Sequence, residues 1–153
     1  MEVRVEKREE ITIVGPLSVT EKADSETIKM LWEKLETCEK EIELKVPGVG
    51  YELHLEEENK LHYCLTGLEV EKVRNLPLNC FAKTLPQGDY AVFSIQIGQI
   101  GFSEAYKNIN RWLEENAPEG AEAHKKFEIQ VYDSRFKGMD NPESEIDFLI
   151  PLF

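Results

Sequence analysis

Alternating apolar and polar residues near the start of the chain, in MEVRVEKREEITIVGPLSVTEK, predict one long strand. Val3 and Val5 alternate with charged residues, and the alternation resumes after a polar interruption in the stretch ITIV. A period of two is that of a strand with one buried face. Gly15 and Pro16 follow, and we expect a bend there because proline lacks the backbone N–H that a sheet ladder needs.

Two later stretches change to the period of three to four residues that is typical of an amphipathic helix. The first predicted helix has one apolar stripe, formed by Ile28, Leu31, Trp32 and Leu35. The second has a stripe formed by Tyr106, Ile109, Trp112 and Leu113. Side-chain oxygens that precede the stripes can cap these helices, from Asp24 or Ser25 in the first and from Ser103 in the second. Each stripe is expected to pack one helix onto a sheet.

The strands around these helices give the chain a repeated order. The stretch YELHLEEENKLHYCLT predicts a hairpin after the first helix. CFAKTLPQGDYAVFSIQI predicts a strand before the second helix, and FEIQVYDSRF and EIDFLIPLF predict two strands after it. Strand, helix, strand, strand thus occurs twice, in about residues 1–73 and 80–153. We therefore predict one α+β domain over residues 1–153, with an antiparallel sheet, two helices and a ligand groove between the repeats.

The composition narrows the class of protein. Of the 153 residues 41% are hydrophobic, and the formal net charge is −12. No run approaches the roughly 20 apolar residues of a membrane-spanning helix, and the N-terminal residues lack the apolar core of a secretory signal. We therefore expect a soluble, cytoplasmic protein without membrane contact, and the negative charge argues against direct binding of nucleic acid.

The cysteines and histidines show no metal-binding spacing. Cys38, Cys64 and Cys80 are odd in number and widely separated, so neither a disulfide framework nor a thiolate metal site is predicted. His54 and His62 fall with Cys64 on the polar face of the predicted hairpin, without a fourth ligand. We predict no metal and no cofactor.

Segments spaced along nearly the whole chain occur in a characteristic order. They are VEKREEITIVG, the LW pair of the first helix, GDYAVF, RWLEEN, FEIQVYDSRF and SEIDFLIPL. Together they resemble the GyrI-like family, also known as the AraC-type effector-binding domain. The resemblance implies a tandem strand-helix-strand-strand fold whose groove binds small, aromatic and often cationic molecules, as it does in transcription regulators.

The segment FEIQVYDSRF determines whether such a groove contains a negative charge that can recognise a cationic ligand. Members resembling this chain carry an acid in an E-x-Y-D segment at the base of the pocket, and ungapped alignment on Tyr132 and Asp133 places Gln130 there. A glutamine carries no charge to pair with a cation and cannot act as a general base. Glu128 lies two residues earlier on the same strand face, ~6–7 Å away, and can take over this role. The alternative is that Glu128 and Gln130 face solvent while the apolar residues between them face the core.

Aromatic side chains are the other candidates for a binding pocket, because a ring offers stacking and cation–π attraction. The candidate residues are Tyr51, Tyr63, Tyr106, Tyr132, Trp32 and Trp112. Each can also be a core residue. Core packing is the favoured interpretation for the tryptophans, which lie on the apolar stripes of their helices.

Three classes of function stay open. The leading one is a stand-alone protein that binds a hydrophobic, aromatic compound, cationic or neutral; the first strand begins almost at Met1, so no DNA-reading helix is expected ahead of the domain. The resemblance also implies two alternatives known among stand-alone members. One is a hydrolase of electrophilic, cyclopropane-bearing compounds, with Glu128 as the catalytic acid or base. The other is an inhibitor of gyrase, whose acidic surface would bind a basic protein partner, gyrase or a regulator.

Overall fold

The computed structural model describes residues 1–22, 24–56 and 59–153 of the chain. This part contains two α-helices and nine strands, which pair antiparallel. The helices are α1 (Ser25–Cys38) and α2 (Phe102–Asn116), with short 3-10 helices at Glu39–Glu41 and Ala123–Lys125. The strands are β1 (Glu2–Arg8), β2 (Ile11–Gly15), β3 (Leu17–Thr20), β4 (Lys45–Glu56), β5 (His62–Val70), β6 (Phe81–Leu85), β7 (Gly88–Gln96), β8 (Phe127–Tyr132) and β9 (Glu145–Pro151). The predicted α+β class and its repeated order of strand, helix, strand, strand are confirmed.

The described residues form two compact units. We call residues 9–87 the central unit and residues 1–8 together with 88–153 the terminal unit. β1 pairs with β7 along its whole length, and β2 pairs with β6. Each unit therefore takes one strand from the other half of the chain. No α-helix in the described ranges is long and apolar enough to cross a bilayer.

The central unit is built on the predicted hairpin of β4 and β5, in which Leu53 lies opposite Leu65. β2 and β3 both pair with β5, and the chain bends between them at Pro16, as predicted. Gly15 is needed at this bend because a Cβ atom there would lie 1.8 Å from the carbonyl oxygen of Thr66. The short strands β2 and β3 therefore pair with successive parts of the same strand, β5, and the chain passes close to the β5 backbone between them.

Helix α1 begins at the predicted cap, where Asp24 Oδ1 accepts a hydrogen bond from the backbone N–H of Thr27 at 2.8 Å. The helix packs on β5 and β3. Half-buried Trp32 packs against the resulting core. The buried residues of this core are Val14, Leu35, Cys38, Ile42, Val70 and Cys80.

The terminal unit carries its strands in the order β1-β7-β9-β8, and α2 packs on one face of them. The predicted cap of α2 was wrong: the helix begins at Phe102, with Gly101 at the cap position and Ser103 inside the first turn. The ring of Phe102 lies 6.0 Å from that of Phe148, and this contact packs the first turn of the helix against the core. The buried residues of this core are Ala91, Phe93, Ile95, Ala105, Ile109, Ile146, Phe148, Ile150 and Leu152.

Candidate functional site

The even-numbered residues of β8 lie on the face of the terminal unit that α2 covers. Gln130 is directly opposite Phe148 of β9, which belongs to the core beneath α2. Gln130 is 5% exposed and Glu128 is half-buried. Ile129, on the other face of the strand, is buried as well. Both faces of β8 are therefore covered at this point, and the expectation that Gln130 faces solvent does not hold.

Four polar side chains meet on this face, and we call them the Glu128 cluster: Tyr106, Glu128, Gln130 and Tyr132. The Tyr106 hydroxyl, from α2, donates to Glu128 Oε1 at 2.6 Å. The Gln130 amide donates to the same oxygen at 3.2 Å and to the Tyr106 hydroxyl at 3.3 Å. The Tyr132 hydroxyl donates to Gln130 Oε1 at 2.9 Å. Gln130 thus links both tyrosines to the carboxylate.

The charge of Glu128 has no cationic partner within the described part of the chain. None of the ion pairs found there includes Glu128, and its hydrogen bonds come from a hydroxyl and an amide. Neutral donors orient a carboxylate without cancelling its charge. A half-buried carboxylate of this kind attracts a cation more strongly than one in bulk water.

Ring contacts fix the aromatic side chains around this cluster. Tyr106 packs edge to face on Phe148, with ring centroids 5.5 Å apart, and Tyr132 packs the same way on Phe136 at 4.9 Å. Trp112 packs against the core in a T-shaped contact with Phe93 at 5.4 Å. These ring contacts hold Tyr106 and Tyr132 in the positions from which their hydroxyl groups donate to Glu128 and Gln130.

A charged network on the opposite face of the terminal unit holds the loop that follows Tyr132. Buried Asp147 accepts hydrogen bonds from Ser94 at 2.6 Å, Arg135 at 2.8 Å and Arg4 at 3.2 Å. Burial raises the pKa of Asp147, but hydrogen bonds from Arg135 and Ser94 and the nearby arginine charges outweigh it and hold the pKa below its usual value. The network therefore keeps Asp147 charged and anchors the start of this loop.

The central unit contains a second carboxylate beneath its helix. Trp32 Nε1 of α1 donates to Glu52 Oε2 at 2.8 Å, and His54 Nε2 lies 2.6 Å from Glu52 Oε1. His54 Nδ1 lies 2.9 Å from His62 Nε2. Burial, and then the nearby His54, lower the pKa of His62. The alternation in YELHLE assigned Glu52 and His54 to a polar outer face, whereas α1 covers that face and Glu52 is 3% exposed. One signal that points to Glu52 is the indole N–H on the inner stripe of α1, which needs an acceptor when buried.

Tyr51 and Tyr63 lie on the other face of the β4–β5 hairpin from Glu52 and His62, because successive side chains alternate. Tyr51 is buried, and its hydroxyl donates to Glu69 Oε2 at 3.2 Å. Tyr63 is half-buried. Both tyrosines therefore lie on the opposite face of the hairpin from Glu52, His54 and helix α1.

No disulfide joins the three cysteines, and all three are buried. The sulfur atoms of Cys38 and Cys80 lie 3.4 Å apart in the core beneath α1. Burial, together with the Cys38 hydrogen bond, raises the pKa of the Cys80 thiol to about 12. Cys64 lies with Glu52 and His54 in a group whose side-chain atoms could hold a metal ion. The sequence alone predicts no metal here, because His54, His62 and Cys64 have no apparent fourth ligand; the structure places Glu52 beside His54 and Cys64.

Comparison with known proteins identifies relatives that span the chain. Residues 4–152 match the Cass2 family, described as integron-associated effector binding protein. The transcriptional regulator BrlR of Pseudomonas aeruginosa is 29% identical over 154 residues, a match that covers 100% of this chain and 56% of BrlR. The chain thus spans about half the length of this curated relative.

Two solved structures share the fold. The structure of SAV2435 bound to tetraphenylphosphonium has a TM-score of 0.73 at 15% identity, and the match covers 100% of this chain and 94% of that chain. The EcmrR C-terminal domain has a TM-score of 0.73 at 11% identity, with 98% and 96% covered. The resemblance to effector-binding domains of transcription regulators is confirmed. Because the family match extends over nearly its whole length, the chain belongs to the Cass2 family of integron-associated effector binding proteins.

Proposed function

We propose that the chain binds a small aromatic cation and that the Glu128 carboxylate supplies the charge that recognises it. The observation that carries the proposal is the half-buried Glu128 carboxylate, which neutral groups orient and no cation within the described residues neutralises. Tyr106 and Tyr132 add aromatic faces beside it. The complex of SAV2435 with tetraphenylphosphonium, an aromatic cation, supports this choice of ligand class.

Gln130 has a positioning role in this proposal. Its amide nitrogen donates to Glu128 while its oxygen accepts from Tyr132, at 3.2 and 2.9 Å. A second carboxylate at this position would repel the charge of Glu128 across the same distance. The neutral glutamine instead holds the side chains of Glu128 and Tyr132 in place by hydrogen bonds, so the cluster carries a single negative charge, that of Glu128.

The size of the effect follows from Coulomb's law. A cation about 5 Å from the Glu128 carboxylate gains about 3 kcal/mol at an effective dielectric constant of about 20, before both groups lose water. Contact with a tyrosine ring adds about 0.5–2 kcal/mol. Allowing for desolvation, we expect the Glu128 charge to strengthen binding about tenfold, or about 1.4 kcal/mol.

Thermal unfolding with shape-matched ions tests the proposal. Tetraphenylphosphonium should raise the Tm, because a ligand that binds the native state stabilises it, and tetraphenylborate should raise it much less. Glu128→Gln should remove most of this difference, and Glu114→Gln, which removes an exposed charge from α2, should preserve it. Equal shifts with both ions, or an unchanged difference in Glu128→Gln, would contradict the proposal. The hydrolase alternative is tested separately, by incubating the protein with electrophilic compounds and analysing the mixtures for hydrolysis products.

A further inference from the structure

Glu52, His54 and Cys64 bring three kinds of metal-binding atom together inside the central unit. One ligand atom from each, a carboxylate oxygen, an imidazole nitrogen and a thiol sulfur, lies within 4.8 Å of the other two. The strand register explains this, because His54 is directly opposite Cys64 and Glu52 lies two residues along the same face of β4. Glu52 and Cys64 are 3% and 2% exposed, and the His54 side chain is 12% exposed.

The outer atoms of two of these side chains are already held by neighbours. Trp32 Nε1 donates to Glu52 Oε2 at 2.8 Å, and His62 Nε2 lies 2.9 Å from His54 Nδ1. Outer hydrogen bonds of this type orient the ligands of metal sites. The inner atoms, Glu52 Oε1 and His54 Nε2, face each other at 2.6 Å. A metal ion bound between these two atoms would take the place of their direct contact.

Thr66 is a second, independent indication of a ligand at this position. It is directly opposite Glu52, on the same face of the strand pair, and it is 0% exposed. Its hydroxyl oxygen has no hydrogen-bond partner within the described ranges. A buried polar group without a partner is costly and calls for an explanation. Water bound to a metal ion beside Glu52 would provide that partner.

We propose that Glu52, His54 and Cys64 form a binding site for a divalent metal ion of the zinc class. Carboxylate, imidazole and thiolate are the ligands that Zn²⁺ takes in proteins, whereas Mg²⁺ and Ca²⁺ require oxygen ligands. The carboxylate and thiolate charges balance a divalent cation, which removes most of the cost of burying charge. Three protein ligands leave a fourth tetrahedral position for water or for a heteroatom of a bound molecule. This site uses other residues than the proposed Glu128 site and does not depend on it.

Cobalt absorption tests the site with a probe that reports the thiolate directly. The full chain, stripped of metal with EDTA, is titrated with Co²⁺; ligation by Cys64 should give a thiolate-to-cobalt charge-transfer band that saturates at one equivalent. Zn²⁺ should abolish the band by competition. Cys64→Ser should eliminate the band, whereas Cys80→Ser should keep it, which separates this site from the Cys38–Cys80 thiol pair.

Thermal unfolding provides a readout that does not depend on colour. Zn²⁺ should raise the Tm of the EDTA-treated wild type and of Cys80→Ser, and should not raise that of Cys64→Ser. Far-ultraviolet circular dichroism verifies that the variants are folded. The inference is overturned if the wild type shows no one-equivalent cobalt band, if the band persists in Cys64→Ser, or if Cys80→Ser loses it while folded.

Discussion

Replacing Asp147 with asparagine removes the charge at the centre of the network in the terminal unit. The carboxylate accepts hydrogen bonds from Ser94, Arg135 and Arg4 at 2.6, 2.8 and 3.2 Å. The side-chain amide of the Asp147→Asn variant is neutral and cannot form an ion pair with either guanidinium group. The substitution therefore leaves both arginines without their shared carboxylate, while the shape of the side chain is almost unchanged.

The expected loss of stability follows from the burial of these groups. Removing one partner of a buried ion pair costs about 3–5 kcal/mol. The side chains of Arg4 and Arg135 are 36% and 34% exposed, so water takes over part of their solvation. We therefore expect a loss of about 2–3 kcal/mol at pH 7, which lowers the Tm of a chain of this size by about 5–10 °C.

Urea unfolding at several pH values measures this effect and the sign of its pH dependence. The native pKa of Asp147 lies below the usual value, so its contribution is present above the unfolded-state pKa of about 3.9 and is lost as the pH falls through the native pKa. The gap between wild type and Asp147→Asn should therefore narrow below about pH 4. Asp133→Asn, at a more exposed carboxylate that pairs with Arg135, should cost about 1 kcal/mol. A gap that is absent at pH 7, or unchanged at the lowest pH, would refute the reasoning.

Three further predictions concern backbone packing, thiol reactivity and the Glu128 cluster. Gly15→Ala should cost about 2–3 kcal/mol in urea unfolding, because the new Cβ overlaps a backbone carbonyl, whereas Gly101→Ala, which meets no neighbouring atom, should cost far less. Cys80, with its pKa raised to about 12, should resist alkylation in the native state at pH 8 and react after unfolding, as measured by mass spectrometry; rapid native labelling would contradict this. Tyr106→Phe removes the hydroxyl that orients Glu128 and should weaken tetraphenylphosphonium binding several-fold in calorimetry with a stability loss of about 1 kcal/mol; unchanged affinity would count against the arrangement.

Local patterns in the sequence predicted both helices and the β4–β5 hairpin, but the one long strand that they predicted near the N-terminus is three strands in the structure, β1, β2 and β3. The stripe with Leu31 and Leu35 predicted α1, and its cap at Asp24 follows from the hydrogen-bonding chemistry of a short acidic side chain. The bend at Pro16 follows equally from a missing backbone donor. The pairing of β1 with β7 joins residues that are far apart in the sequence, and no local pattern specifies such a partner.

The polar sites were harder to predict because a period of two separates the faces of a strand without saying what covers them. Glu52 in β4 and Gln130 in β8 lie in alternating stretches that are typical of outward-facing positions, yet both are buried. Each is covered because a helix packs over that face of its strand and supplies a hydrogen-bond partner. The partner of Glu52 is Trp32 in α1, and that of Gln130 is Tyr106 in α2. Tertiary packing decided these positions, and family resemblance directed attention to one of them.

The most direct test of the central claim is isothermal titration calorimetry of tetraphenylphosphonium and tetraphenylborate with the wild type and Glu128→Gln. We expect the wild type to prefer the cation, and we expect the substitution to reduce the affinity for the cation about tenfold, or by about 1.4 kcal/mol, while the weak binding of the anion stays unchanged or becomes slightly stronger. Equal cation affinity in the two proteins, with the wild type binding it measurably, would show that Glu128 does not provide the charge that recognises the ligand.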